Sequence, residues 1–103
     1  MPPTDKWKNG VWDMEAFRHG SMTLEIFAPK GTDFQTPHTQ DEVYFIVQGS
    51  GMFTKEGKHC TFSAGDVLFV EAGKDHRFEN FSDDLVAWVI FYGSEGGEKC
   101  DKN

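Results

Sequence analysis

Two stretches of the chain decide the fold, and the more regular one reads Gly65-Asp-Val-Leu-Phe-Val-Glu-Ala-Gly-Lys-Asp-His-Arg-Phe-Glu-Asn80. In it a short apolar run separates two glycines, and a tight turn precedes the histidine. The earlier stretch reads Gly31-Thr-Asp-Phe-Gln-Thr-Pro-His-Thr-Gln-Asp-Glu-Val-Tyr-Phe-Ile-Val-Gln-Gly49. Its second half is rich in β-branched and aromatic residues and ends at a Gly-Ser-Gly turn. Each stretch therefore predicts a strand bounded by turns.

The same pattern of short strands and turn residues continues on both sides of these stretches. Period-2 or β-rich runs predict strands over residues 22–28, 42–48, 52–55, 58–62, 67–70, 76–79 and 85–92. Glu56-Gly57 separates two of these runs by two residues, which is a hairpin signal. Since no segment shows a helical period, the chain is predicted to be all-β, a sandwich or a barrel.

The spacing of Gly65, Gly73, His76 and Asn80 resembles the second motif of the cupin superfamily, G-x5-P-x-G-x2-H-x3-N. Glu71 stands where the family has proline. The first stretch is similar to the first cupin motif over its second half, because His38, Glu42 and Gly49 fall in register. The resemblance covers about residues 24–92 and implies a small single-domain cupin, folded as a double-stranded β-helix (jelly roll).

The resemblance also implies a metal site formed by His38, Glu42 and His76. Thr36 stands where the family places a further histidine. Two imidazoles and one carboxylate suit a divalent transition metal such as Fe, Mn, Ni, Zn or Cu, in the manner of the 2-His-1-carboxylate triad. The competing interpretation is a hydrogen-bonded, metal-free polar cluster at the mouth of the barrel.

Two neighbouring residues are further candidates for the site. Tyr44 follows Glu42 by two positions and shares its face of the strand, so it is expected either to orient a substrate as a catalytic residue or to be a core aromatic. Gln40 lines the site if the chain stays extended from His38 to Glu42, and is otherwise a loop residue.

The strand that carries Glu42 is apolar on both of its faces. If Glu42 points inward, then Tyr44, Ile46 and Gln48 do so too, and the intervening side chains Val43, Phe45 and Val47 point outward. A strand that is apolar on both faces is covered on both faces. The cover is either the N-terminal arm or a second subunit, and we predict a homodimer.

Composition excludes several classes of partner. The 103-residue chain carries a net charge of −7 without clustered Lys or Arg, which argues against nucleic acid and anionic membranes as partners. The start has no signal-peptide pattern, so a soluble cytoplasmic protein is expected. We divide the chain into an N-terminal arm (1–20), a cupin barrel (21–93) and a flexible polar tail (94–103). Cys60 and Cys100 are expected to be thiols, with Cys60 a small inward-facing residue on a hairpin strand.

Three functions fit these features. The first is a metal-dependent enzyme acting on a small organic molecule, with dioxygenase-like or related lyase or isomerase chemistry. The second is a non-catalytic small-molecule binding or sensing module, with or without metal. The third is a metal-free isomerase or epimerase using histidine and tyrosine as base and acid.

Overall fold

The computed structural model describes residues 13–29 and 38–98, and these residues form eight β-strands. The strands are β1 (Asp13–His19), β2 (Met22–Phe27), β3 (Asp41–Gln48), β4 (Ser50–Lys55), β5 (Lys58–Ser63), β6 (Val67–Val70), β7 (His76–Glu79) and β8 (Val86–Tyr92). Within this part of the chain there is no helix long and apolar enough to span a membrane. The all-β prediction is confirmed.

The strands form two sheets that enclose one core. One sheet has five strands in the order β1-β2-β8-β3-β6, and the other has three in the order β5-β4-β7. Aromatic rings from both sheets meet between them: Tyr44 of β3 lies 4.9 Å from Phe78 of β7 and 6.1 Å from Phe53 of β4, measured between ring centroids. Burial of these large rings is the main source of stability in so small a domain.

Turn chemistry fixes the register of the second sheet. Glu56 and Gly57 both have positive φ, 51° and 81°, as a two-residue hairpin turn of type I′ requires. The predicted hairpin is confirmed, and it pairs Lys55 with Lys58 and Phe53 with Cys60. Phe62 of β5 is buried, whereas Cys60, expected to face inward, is exposed on this edge strand of the sheet.

Strand β3 alternates as predicted over most of its length. Glu42, Tyr44 and Ile46 are buried, whereas Phe45 and Val47 point outward and are 41% and 49% exposed. The prediction for Gln48 is wrong. The register of β3 against β8 shifts between Ile46 and Gln48, and this bulge turns the Gln48 amide outward, where it donates to the Asp84 carbonyl at 2.8 Å.

The outer face of the five-stranded sheet is apolar across its whole width. One cross-strand row runs through Phe17, Leu24, Ile90, Val43 and Phe69, and the next through Met14, Ile26, Trp88, Phe45 and Val67. We call these two rows the outer apolar face. The β3–β6 end of this face is exposed to solvent in the single chain, with Val67 at 57% and Phe69 at 42%.

The ends of the chain are described in part. Strand β1 lies inside the segment expected to be an N-terminal arm and pairs with β2, whereas Trp7 and Trp12 lie outside the described residues. Of the segment expected to be a flexible tail, residues 94–98 are described and hydrogen-bonded: Gly96 N–H donates to the Thr39 carbonyl at 2.6 Å, and Glu98 N–H donates to Asp41 Oδ2 at 2.9 Å.

Candidate metal centre

Three elements bring the candidate ligands together. Glu42 is the second residue of β3, His76 is the first residue of β7 in the opposite sheet, and His38 precedes β3. The turn before β7 is bonded to the segment that carries His38, because the backbone N–H of Gly73 donates a 2.7 Å hydrogen bond to the carbonyl of His38. Gly73 has φ of +79°, a conformation that glycine adopts at little cost. The two sequence motifs are thus joined directly through their backbones.

The ligand atoms of the three side chains converge. His76 Nε2 lies 3.5 Å from Glu42 Oε1, and His38 Nε2 lies 3.9 Å from Glu42 Oε2. One ligand atom from each residue falls within 4.8 Å of the others. An ion with bonds of about 2.1 Å sets its ligands about 3 to 4 Å apart, so the observed spacing suits a single ion.

The carboxylate of Glu42 is the most unusual group in the site. It is 1% exposed, and neither of its oxygens has a hydrogen-bond partner among the described residues. Burying a carboxylate without hydrogen bonds costs several kcal/mol. A bound cation would compensate this cost, and the two imidazoles beside the carboxylate are the other ligands that a transition metal takes.

The imidazole of His76 is oriented by its own backbone neighbourhood. Its Nδ1 lies 3.0 Å from the Lys74 carbonyl, which accepts hydrogen bonds only, so Nδ1 carries the proton. In the neutral ring, Nε2 then has the lone pair, and Nε2 is the atom that faces Glu42. A carbonyl that fixes the tautomer in this way is the usual outer support of a metal-binding histidine.

The other sequence candidates fall in three different places. Tyr44 is fully buried, and its hydroxyl lies 3.3 Å from His76 Nε2, so it contacts the triad. Gln40 lines a cavity beside His38, but its amide nitrogen donates to the Ser21 and Gly93 carbonyls, both at 2.8 Å. Gln40 therefore ties the end of β8 to the β1–β2 turn. Thr36 lies outside the described residues.

Asp41 is a residue that the sequence reasoning missed. It is 5% exposed and accepts hydrogen bonds from the backbone N–H groups of Ala72 and Glu98, at 2.8 Å and 2.9 Å. These bonds clamp the turn before β7 and the C-terminal segment against the start of β3. Its position directly before Glu42, where a strand begins, was the available signal.

Two of the three candidate ligands are buried, and the third is partly exposed to solvent. The side chains of Glu42 and His76 are 1% and 0% exposed, whereas that of His38 is 34% exposed. Beside His38 lies a cavity of about 270 Å³. It is lined by Arg18, Thr23, Glu25, His38, Thr39, Gln40 and Phe91. We call it the His38 cavity, and His38 is the member of the triad that lines it.

Comparison with known proteins agrees with this fold. The chain is 36% identical over 80 residues to an uncharacterised protein of Streptomyces coelicolor, covering 76% of each. It is 44% identical over 66 residues to an acireductone dioxygenase of Bacillus thuringiensis, covering 57% of this chain and 38% of the enzyme. The chain thus spans less than half the length of that relative.

Structural and family comparisons point the same way. A cupin from Methanocaldococcus jannaschii with a double-stranded β-helix fold superposes with a TM-score of 0.67 at 16% identity, covering 77% of this chain and 76% of that one. The family model described as a cupin domain matches residues 23–92, which includes Glu42, His76 and every strand from β3 to β8. The chain belongs to the cupin family.

Proposed function

We propose that His38, Glu42 and His76 hold one divalent transition metal, and that the protein is a small metal-dependent enzyme with dioxygenase-like or related chemistry. The observation that carries this proposal is the Glu42 carboxylate, buried between two imidazoles without a hydrogen-bond partner among the described residues. The acireductone dioxygenase relative supports the reaction type, although the chain spans only 38% of that enzyme.

When bound, the metal would supply Lewis-acid or redox chemistry to an oxygen-bearing substrate. The protein's own contribution is positional. The Lys74 carbonyl holds the His76 ring, the Gly73 N–H holds the backbone of His38, and the Tyr44 hydroxyl lies against His76 Nε2. The sheets exclude water from Glu42, and the substrate approaches along the exposed side of His38.

The experiment that tests the proposal is metal analysis of protein purified without a histidine tag, together with the melting temperature before and after metal addition. We expect near-stoichiometric metal in the wild type and its loss in His76→Ala. His59→Ala is the matched control, because His59 is exposed and bonds Thr54 rather than the triad. A wild type with neither bound metal nor a metal-induced rise in melting temperature contradicts the proposal.

A second candidate is a binding or sensing cupin that uses the same site without turnover. The burial of Tyr44 favours it: the side chain expected to orient a substrate is 0% exposed and contacts His76. Oxygen consumption by the metal-loaded protein separates the two. Ligand binding without oxygen uptake or product, across a panel of enediol, catechol and thiol substrates, supports the sensing function.

We also infer that the protein is a homodimer joined through the outer apolar face. The face carries no charged side chain in either of its two rows, and its β3–β6 end leaves Phe45, Val67 and Phe69 exposed in the single chain. Contiguous exposed apolar surface of this kind marks an interaction site. A second copy offers the same apolar surface, as a two-fold interface requires.

A further inference from the structure

The His38 cavity extends the triad toward a charged wall on β1 and β2. A single cross-strand row leads from one to the other: Glu42 pairs with Phe91, Phe91 with Thr23, and Thr23 with Arg18. Thr23 and Phe91 are buried and form the floor of the cavity. A molecule that reaches the triad past His38 therefore lies over this floor, with Arg18 and Glu25 at its far end.

Arg18 pairs with Glu15 at the surface, where the two side chains are 61% and 42% exposed. Its Nη2 and Nε donate to the two oxygens of Glu15 at 2.6 Å and 3.1 Å, and Nη1 takes part in neither bond. The hydrogen bond to Arg18 lowers the pKa of the Glu15 carboxyl below its usual range. The same bond raises the pKa of Arg18. A guanidinium fixed along one edge presents its other donors in a plane that matches a carboxylate.

Glu25 gives the cavity a second kind of contact. It is half-buried on β2, between Glu15 of β1 and Val89 of β8 in the sheet register, and it lines the cavity together with Arg18. An ionised carboxylate accepts hydrogen bonds only, so it selects a ligand that donates one, such as a hydroxyl group. The cavity thus offers a guanidinium that donates hydrogen bonds, a carboxylate that accepts them, and the buried side chains of Thr23 and Phe91.

The size of the cavity limits the ligand. Three strand spacings separate the backbone of Glu42 from that of Arg18, about 14 Å of sheet, and the long side chains at each end take up much of this distance. The remaining space suits a molecule of a few carbon atoms.

We propose that the His38 cavity binds a small hydroxylated organic acid, with its carboxylate on Arg18, a hydroxyl group on Glu25 and its remaining oxygens directed to the triad. This names the substrate class of the proposed enzyme and so rests on the proposed metal site. Arg18 and Glu25 are its specificity-determining residues.

Calorimetric titration of the metal-loaded protein tests the proposal, with L-malate, succinate and the neutral malamide as probes. We expect malate to bind tightest, because succinate lacks the hydroxyl and malamide lacks the charge. Arg18→Gln should weaken malate binding about tenfold or more, since a charge-assisted pair is lost. Glu25→Gln should reduce the preference for malate over succinate. Arg77→Gln is the charge-matched control, because Arg77 is exposed on the outer side of the other sheet.

The outcomes separate this proposal from the metal site. Metal content should be unchanged in Arg18→Gln, so lost malate binding at full metal occupancy supports the cavity assignment. Malate binding that is equal in wild type and Arg18→Gln, no tighter than malamide, or absent at millimolar concentration overturns it and leaves the metal site intact. A wild type without metal instead contradicts the proposed function, and Arg18-dependent malate binding to that metal-free protein would still support the cavity assignment.

Discussion

The hydroxyl oxygen of Tyr44 lies 3.3 Å from Nε2 of His76, and both side chains are buried. Because Nδ1 of His76 faces the Lys74 carbonyl, Nε2 is the acceptor and the hydroxyl is the donor. A metal would take the same lone pair. An ion at this nitrogen would therefore compete with the Tyr44 hydroxyl for the lone pair.

Tyr44→Phe tests this relationship. Removing the hydroxyl deletes one buried hydrogen bond, so the free energy of unfolding of the metal-free protein should fall by about 1 kcal/mol. Metal affinity should be unchanged or higher, because a competitor for Nε2 is gone. Urea unfolding in chelator and metal titration are the two measurements. Loss of metal binding in Tyr44→Phe would show that the hydroxyl supports the ion rather than competes with it.

Glu42→Gln should change stability and metal binding in opposite directions. The substitution removes a buried charge that lacks hydrogen bonds and supplies an amide that can donate to the imidazoles, so the chelated protein should be more stable by about 1–3 kcal/mol. The rise in melting temperature on metal addition should disappear. A chelated Glu42→Gln that unfolds more easily than the chelated wild type would show that the buried Glu42 carboxylate does not destabilise the metal-free protein.

Gly49→Ala tests the turn that ends β3. Gly49 has φ of +95°, and a Cβ there would lie 2.6 Å from Leu85 Cα, so the variant combines strain with a backbone clash. Gly57→Ala is the control: its φ is +81°, but a Cβ would have no atom within 4 Å. We expect about 1 kcal/mol of destabilisation for Gly57→Ala and clearly more for Gly49→Ala, measured by urea unfolding. Equal losses would show that the close approach to Leu85 is relieved easily.

Phe45→Lys should dissociate the proposed dimer. Phe45 is 41% exposed and lies between Trp88 and Val67 in one apolar row, and a buried unpaired lysine there opposes association. Sedimentation at micromolar concentration should give a dimer for the wild type and a monomer for the variant. Thr61→Lys adds the same charge to the exposed face of the other sheet and should remain dimeric. A wild type that sediments as a monomer contradicts the dimer.

Thr36→His tests the register of the first motif. Thr36 stands where the family places a further histidine, so the substitution should strengthen metal retention during dialysis against chelator. Thr39→His is the control, because Thr39 is exposed beside His38 and outside that register. Unchanged retention in Thr36→His would show that the register assigned here is wrong.

Much of the fold was predictable because its signals are local. Alternating residues and the Glu56-Gly57 turn predicted seven strands, and each predicted end lies within two residues of the observed end. Strand β1 was missed, since Glu15, Ala16 and Phe17 break the period where its register against β2 shifts. The exposure of Cys60 was missed because edge position depends on the order of the strands in the sheet. Gln48 was misplaced because a bulge is a property of the paired strand β8 as well as of β3.

The candidate site was predictable only in its ligands. The resemblance to the two motifs predicted that His38, Glu42 and His76 form one site, and one ligand atom of each lies within 4.8 Å of the others in the structure. The partners that orient them are not readable from sequence, because the Lys74 carbonyl and the Gly73 N–H are backbone groups. Arg18 and Glu25 escaped notice for a related reason: they join the His38 cavity only through the pairing of β1, β2 and β8.

The 2.7 Å bond between Gly73 and His38 has a consequence for how an ion would be acquired. The backbone of His38 is hydrogen-bonded to the turn that precedes His76, so the two histidines cannot separate unless this backbone hydrogen bond breaks. Capture of the ion then requires little rearrangement, and the empty and loaded forms should share one backbone.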